Sequence, residues 1–103
     1  MRVETLLGFA RRAGLLAIGS QAAKTALEKG KVHLLMVSSD ASSRTWRNAA
    51  MLAEKKNIPI VHYGEKEQLA ERLGWSGEVA VLAVTQEQFA RDILRLTGKD
   101  GEE

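Results

Sequence analysis

Few side chains in this 103-residue chain are of the types that break or form bonds, and none of them stands in company. Asp40 follows the apolar run His33-Leu34-Leu35-Met36-Val37-Ser38. An aspartate at the carboxyl end of an inner strand is where a catalytic or phosphate-accepting acid would sit in an α/β fold. The rest of such a site is missing: there is no acidic pair near the first strand, no lysine at a matching distance after a later strand, and no glycine-rich loop to cradle phosphate. There are no cysteines, which removes disulfides, zinc–thiolate sites and cysteine nucleophiles together. His33 and His62 stand apart and do not make a metal site; His33 reads as a strand-end residue. No enzyme, metal or cofactor is expected.

Binding is better provided for than catalysis. Gly19-Ser20-Gln21-Ala22-Ala23-Lys24-Thr25-Ala26-Leu27-Glu28-Lys29-Gly30 reads as a short helix entered and left through glycines. The Ser20 hydroxyl is placed to cap its first turn, and Gly30 to close it in the left-handed conformation. At 100° per residue, Ala22, Ala23, Ala26 and Leu27 fall on one side and Gln21, Lys24, Thr25, Glu28 and Lys29 on the other. The polar side begins at a helix N-terminus, where unpaired N–H groups and the positive dipole end favour anions such as phosphate. The second stretch of interest is Gly74-Trp75-Ser76-Gly77-Glu78, which puts an aromatic ring and two glycines in a loop just before a strand.

The elements that position these stretches follow from periodicity. Val3, Leu6, Leu7 and Ala10 recur at helical spacing, with Arg11 and Arg12 in the last turn and Gly14 beyond it. Leu15 to Ile18 is a short apolar run that reads as a first strand. The runs 33–38 and 79–84 are apolar without alternation, as in inner strands covered on both faces. A helix from about Arg44 to Lys56 is capped by Ser42 or Ser43 and ended by Asn57, with Trp46, Ala49, Ala50 and Ala53 on its packed face. Ile58 to Tyr63 reads as a third strand that tolerates Pro59 at its beginning. Two more helices cover Glu65 to Leu73 and Gln86 to Leu96. The alternation predicts a three-layer α/β/α sandwich around a four-stranded mixed sheet, one domain over residues 1–97, with a disordered tail over 98–103.

The net charge of +2 conceals an asymmetry. Residues 1–50 carry eight Lys/Arg against three acids, a net of +5, and the remainder carries −3. A basic half is an electrostatic footprint for nucleic acid. No apolar run approaches a membrane span and the first residues carry no secretory pattern, so a cytoplasmic protein with no membrane partner is expected.

With the elements placed, the chain resembles the kink-turn RNA-binding ribosomal protein family, the family of archaeal ribosomal protein L-seven-Ae, and within it the small bacterial YlxQ/YbxF-like members. The resemblance rests on Leu6-Leu7-Gly8-Phe9-Ala10-Arg11-Arg12-Ala13-Gly14 followed by Ile18-Gly19, and on the Gly19 to Gly30 spacing. It rests also on Val37-Ser38-Ser39-Asp40-Ala41-Ser42, on Asn57-Ile58-Pro59 before a strand, and on Leu69 to Gly74 before the last strand. It implies a non-catalytic protein, monomeric when free, that holds sharply bent RNA between the start of the second helix and the loop before the last strand, in the setting of the ribosome or translation. Carried over by position, the RNA-binding residues are Gly19, Ser20, Gln21, Lys24, Thr25, Lys29 and Asp40, with Trp75, Ser76, Gly77, Glu78 and Val79 from the later loop. Two positions depart from the family pattern. Ala22 stands where the family has Glu, and Thr25 where it has Lys, which removes two polar base contacts of roughly 1–3 kcal/mol each. A protein-interaction module on the same fold, with weakened RNA recognition, is the competing expectation, motivated by these two residues and by Trp75.

Overall fold

The structure, a computed structural model, describes residues 2–102, with side chains described through residue 97. In chain order its elements are α1 (Val3–Arg12), β1 (Leu16–Ile18), α2 (Ser20–Glu28), β2 (Leu34–Val37), α3 (Ser43–Lys56), β3 (Ile60–His62), α4 (Lys66–Leu73), β4 (Val81–Val84) and α5 (Glu87–Glu102). The four strands form one mixed sheet of order β1-β4-β2-β3, in which β4 runs antiparallel to β1 and β2, and β2 and β3 run parallel.

The unbroken apolar character of β2 and β4 is explained by which way each residue faces. Leu34, Met36, Leu82 and Val84 point into one core with Leu6 and Leu7 of α1, Leu69 and Leu73 of α4 and Ile93 of α5. Leu35, Val37, Val81 and Ala83 point into a second core with Ala23 and Leu27 of α2 and Ala49 and Ala53 of α3. Because side chains alternate across a strand, an inner strand flanked by two cores must be apolar at every position. The expected three-layer α/β/α sandwich is the result, with α1, α4 and α5 on one side of the sheet and α2 and α3 on the other.

Helix ends follow local chemistry. The Ser42 hydroxyl oxygen accepts from the Thr45 N–H (3.1 Å) to cap α3, and Asn57 ends that helix in the left-handed region at φ 60°. The Gln86 side-chain oxygen accepts from the Phe89 N–H (2.7 Å) at the start of α5. Trp46 lies on α3 with its ring stacked on His62 of the edge strand, centroids 3.7 Å apart, so it packs the α3 layer against β3. α5 runs through Glu102, and Glu103, the last residue of the expected tail, lies outside the described residues. Extending a helix that already exists fixes one residue per hydrogen bond gained and needs no apolar side chain.

Leu82, fully buried in β4, tests how much the sheet depends on this two-sided packing. Leu82→Ala is expected to lower the unfolding free energy by about 2–5 kcal/mol, the range for buried leucine truncations, measured by urea denaturation.

Candidate nucleic-acid interface

Four loops meet at one end of the sheet, and backbone hydrogen bonds fix their arrangement. The ladders do not stop with the strands. The Gly19 N–H donates to the Val81 carbonyl (2.8 Å), the Ser38 N–H to that of Ala80 (2.8 Å), the Tyr63 N–H to that of Val37 (2.8 Å) and the Ser39 N–H to that of Gly64 (2.7 Å). The start of α2, the turn into α3, the turn into α4 and the approach to β4 are thereby held side by side.

Gly19, not Ser20, is the N-cap of α2, at φ 102° and ψ 157°, and no side chain caps the helix. Ser20 is the first helical residue and its hydroxyl does not take the capping role expected of it. The first N–H groups of α2 therefore lack the side-chain partner that α3 has, and they open at the sheet edge. The conformation of Gly19 belongs to a region that other residues reach only under strain. Space is not the constraint, since a Cβ at Gly19 would meet nothing within 4 Å.

Along α2, Gln21, Lys24 and Lys29 are exposed and Thr25 is half-buried, while Ala23 and Leu27 face the core. Ala22, expected on the packed side, is exposed beside Gln21. Lys29 is the C-cap, nine residues along from Ser20 and thus about 14 Å away at the helical rise.

Asp40 is committed to structure. Its carboxylate accepts from the Lys66 N–H (3.0 Å), capping α4 from 26 residues away. Desolvation raises the Asp40 pKa, but the hydrogen bond from the Lys66 N–H, with the Ser38 side chain and the Lys66 ammonium nearby, outweighs it and holds the carboxyl below its ordinary value. The Lys66 ammonium in turn lies 3.8 Å from Glu78, and the Lys66 carbonyl accepts from the Val79 N–H (3.1 Å). Lys66 thus joins two of the loops expected in the interface. Glu4 shows a related contact on the other side of the sheet: a hydrogen bond from Tyr63 is the largest of the effects that lower its pKa, with Arg72 and Arg2 adding to it.

The later loop is tied to α4 at both ends. It runs back along α4, from the Trp75 N–H bonded to the Ala70 carbonyl (2.8 Å) to Val79 at Lys66. Trp75 is 40% exposed and carries the Arg11 guanidinium over its ring at 5.1 Å, so it belongs to the α1/α4 layer. Ser76, Gly77 and Glu78 are exposed between the two ends. Val79, expected among the RNA-contacting residues, is fully buried in the core beneath α1, α4 and α5. An apolar residue entering an inner strand is drawn to the core, so Val79 anchors the loop and does not line it.

The charge distribution follows the layers of the sandwich more closely than the halves of the chain. Lys24, Lys29, Lys31, Arg44, Arg47, Lys55 and Lys56 are all exposed on α2, α3 and the residues that follow α2, against only Glu28 and Glu54 there. Among the described residues none of these seven cations forms an ion pair. On the opposite layer four cations are engaged, Arg91 with Glu87 (2.7 Å), Arg95 with Asp92 (2.9 Å), Arg11 with Trp75 and Arg12 with Phe9, while Arg2 and Arg72 lie near Glu4. Unpaired positive charge gathered on one side creates a field for a polyanion.

A groove of about 370 Å³ separates α2 from α3. Gln21 and Lys24 stand on one wall, Thr45, Asn48 and Met51 on the other, and Leu35 and Val81 lie at its floor. Sequence periodicity placed the packed face of α3 but gave no sign of this groove, because a groove is set by the spacing of two helices. The available signal was Met51, an apolar residue outside the packed face of α3, and it is 68% exposed. Among the described residues no group of three His, Cys, Asp or Glu side chains could hold a metal ion, and no helix is long and apolar enough to cross a membrane.

Fold and site define a small α/β/α domain with one open basic face. The chain belongs to the ribosomal protein L7Ae/L30e/S12e/Gadd45 family, whose profile matches residues 1–94. Among solved structures it is similar to a Bacillus halodurans protein of unknown function, with 29% identity and a TM-score of 0.89 over 94% of this chain and 97% of that one. It also shares its fold with a Giardia lamblia 15.5kD RNA binding protein, with 18% identity and a TM-score of 0.80 over 94% and 85% of the two chains.

Two measurements test the geometry at the sheet edge. Gly19→Ala should cost about 1–3 kcal/mol, the usual cost of holding a non-glycine residue in a rare backbone region, seen as a lower urea midpoint. Asp40 and Glu4 both have lowered pKa values, so the folded state binds protons less readily than the unfolded one. The stability they contribute is fully present above the ordinary carboxyl range and is lost as pH falls through their lowered values. Unfolding free energy measured from neutral pH down into that range should fall, and Asp40→Ala should make the fall shallower.

Proposed function

We propose that this protein is a non-catalytic, RNA-binding member of its family that recognises structured, kink-turn-like RNA through the α2 and α3 layer. The observation that carries this reading is the set of seven exposed, unpaired cations on that layer, beside the uncapped N-terminus of α2. Lys24 is the first cation along α2, one turn after Ser20 opens the helix, and backbone N–H groups and lysine together suit a phosphate. Family membership supports an RNA partner, as does the fold shared with the Giardia RNA-binding protein. We place the protein with the YlxQ/YbxF-like bacterial members, in the cytoplasm, in association with the ribosome or translation and monomeric when free.

A protein-interaction role on the same fold is the second reading, and Trp75 is the observation that favours it. The ring is exposed on the α1/α4 layer, on the other side of the sheet from the basic face. A partner retained from RNase-treated extract by the parent and lost with Trp75→Ala is what that reading requires.

The test of the leading reading is titration of a labelled kink-turn RNA, and of a control whose G·A pairs are replaced by Watson–Crick pairs, across a range of salt. Affinity for the kink-turn RNA should exceed that for the control, and log affinity should fall linearly with log salt, by about 0.7–0.9 per phosphate contact. Lys24→Glu combined with Lys29→Glu should weaken binding by about tenfold or more and reduce the salt slope, with unchanged circular dichroism. Parental affinity in that double variant would remove α2 from the site.

A further inference from the structure

We infer that the groove between α2 and α3 seats one unpaired base of the bound RNA, an inference that rests on the RNA-binding reading above. Its volume, about 370 Å³, falls in the range of small-ligand sites, roughly 300–1,000 Å³. Its chemistry matches a nucleobase. The floor is aliphatic, and Met51 stands at one lip with a polarizable thioether suited to the face of an aromatic ring.

Gln21 and Asn48 line the groove, one from each helix, and each side-chain amide offers a donor and an acceptor. Neither is engaged by another protein group among the described residues. Paired donors and acceptors of this kind read the edge of an unstacked base, with Asn and Gln suited to adenine.

Charge selects the occupant. No carboxylate lines the groove, Lys24 lies on its α2 wall, and Arg44 stands one turn before Asn48 on α3. A base arrives attached to a phosphate on either side, and these cations are placed to hold the backbone while the base enters. The groove thereby extends the interface from α2 onto α3.

The experiment measures the affinity of the parent and of Asn48→Ala for the kink-turn RNA, intact and with each unpaired nucleotide in turn made abasic. With the intact RNA, Asn48→Ala is expected to weaken binding about tenfold, as for loss of one specific base contact. At one abasic position the parent should lose a similar factor and Asn48→Ala should lose nothing more. Met51→Glu, at an exposed position, repeats the comparison from the same wall, so a folding defect in one variant does not decide the outcome. Parental affinity in both variants, or an equal loss from Asn48→Ala at every abasic position, overturns the inference and leaves the RNA-binding reading standing. Failure of the parent to bind any of these RNAs overturns both. Tight binding of AMP alone would give the groove to a free nucleotide and overturn its assignment to RNA.

Discussion

Covering β2 and β4 on both faces is the constraint from which the rest of this structure follows. Every residue of the two strands is buried, and successive residues enter different cores. Such strands cannot exist at a sheet surface, because each exposed apolar face would forfeit roughly 25 cal/mol per Å² of the area it fails to bury. Helices must therefore lie on both sides, and the described residues form five to divide. Two helices on one side and three on the other give the two layers different surfaces. The two-helix layer has fewer charged neighbours of opposite sign, and its lysines and arginines are left without partners.

The same pairing of strands builds the sheet edge. Because β4 runs antiparallel to both its neighbours, its beginning lies next to the ends of β1 and β2. Each ladder then continues for one further bond, Gly19 to Val81 on one side and Ser38 to Ala80 on the other. A residue that must donate to the strand and immediately start a helix needs a backbone conformation that glycine alone adopts at low cost, which is what Gly19 supplies. Asp40 completes the edge by capping α4 across the loop, a role for a carboxylate that needs no second acid.

How much of this was legible in the sequence varies with the range of the interaction. The two inner strands were legible because two-sided burial leaves an unbroken apolar run, and the stops at Asn57 and Gly74 because left-handed residues are chemically distinctive. Ser20 was misread as a cap because its type suits that role, whereas the hydrogen bond from Gly19 to Val81 fixes the cap one residue earlier. Ala22 stood with Ala23 in the apolar count, yet 100° of rotation carries it out to solvent. The Trp75 loop reads as one segment in the sequence, and the hydrogen bonds that tie its two ends to opposite ends of α4 leave no mark in the residue types. The structural partner of Asp40, a backbone N–H 26 residues on, leaves no mark in the residue types.

Charge shows why the layer matters more than the segment. Arg11 and Arg12 contributed to the basic first half of the sequence, but in the fold they rest on Trp75 and Phe9 on the α1/α4 layer. Lys55 and Lys56, counted with the acidic half, join α3 on the opposite layer. On the proposed reading, this sorting separates affinity from specificity. Phosphate contacts depend on the number and freedom of cations, which the α2/α3 layer provides in excess, and they tolerate small displacements. Base contacts depend on placed donors and acceptors, and Ala22 and Thr25 remove two that the family pattern would supply. Gln21 on α2 and Asn48 on α3 are the amides facing the groove, so specificity lost along one helix is recoverable only by using the second. The preferred RNA should then be one that reaches across the groove, and binding confined to α2 would be governed mainly by charge.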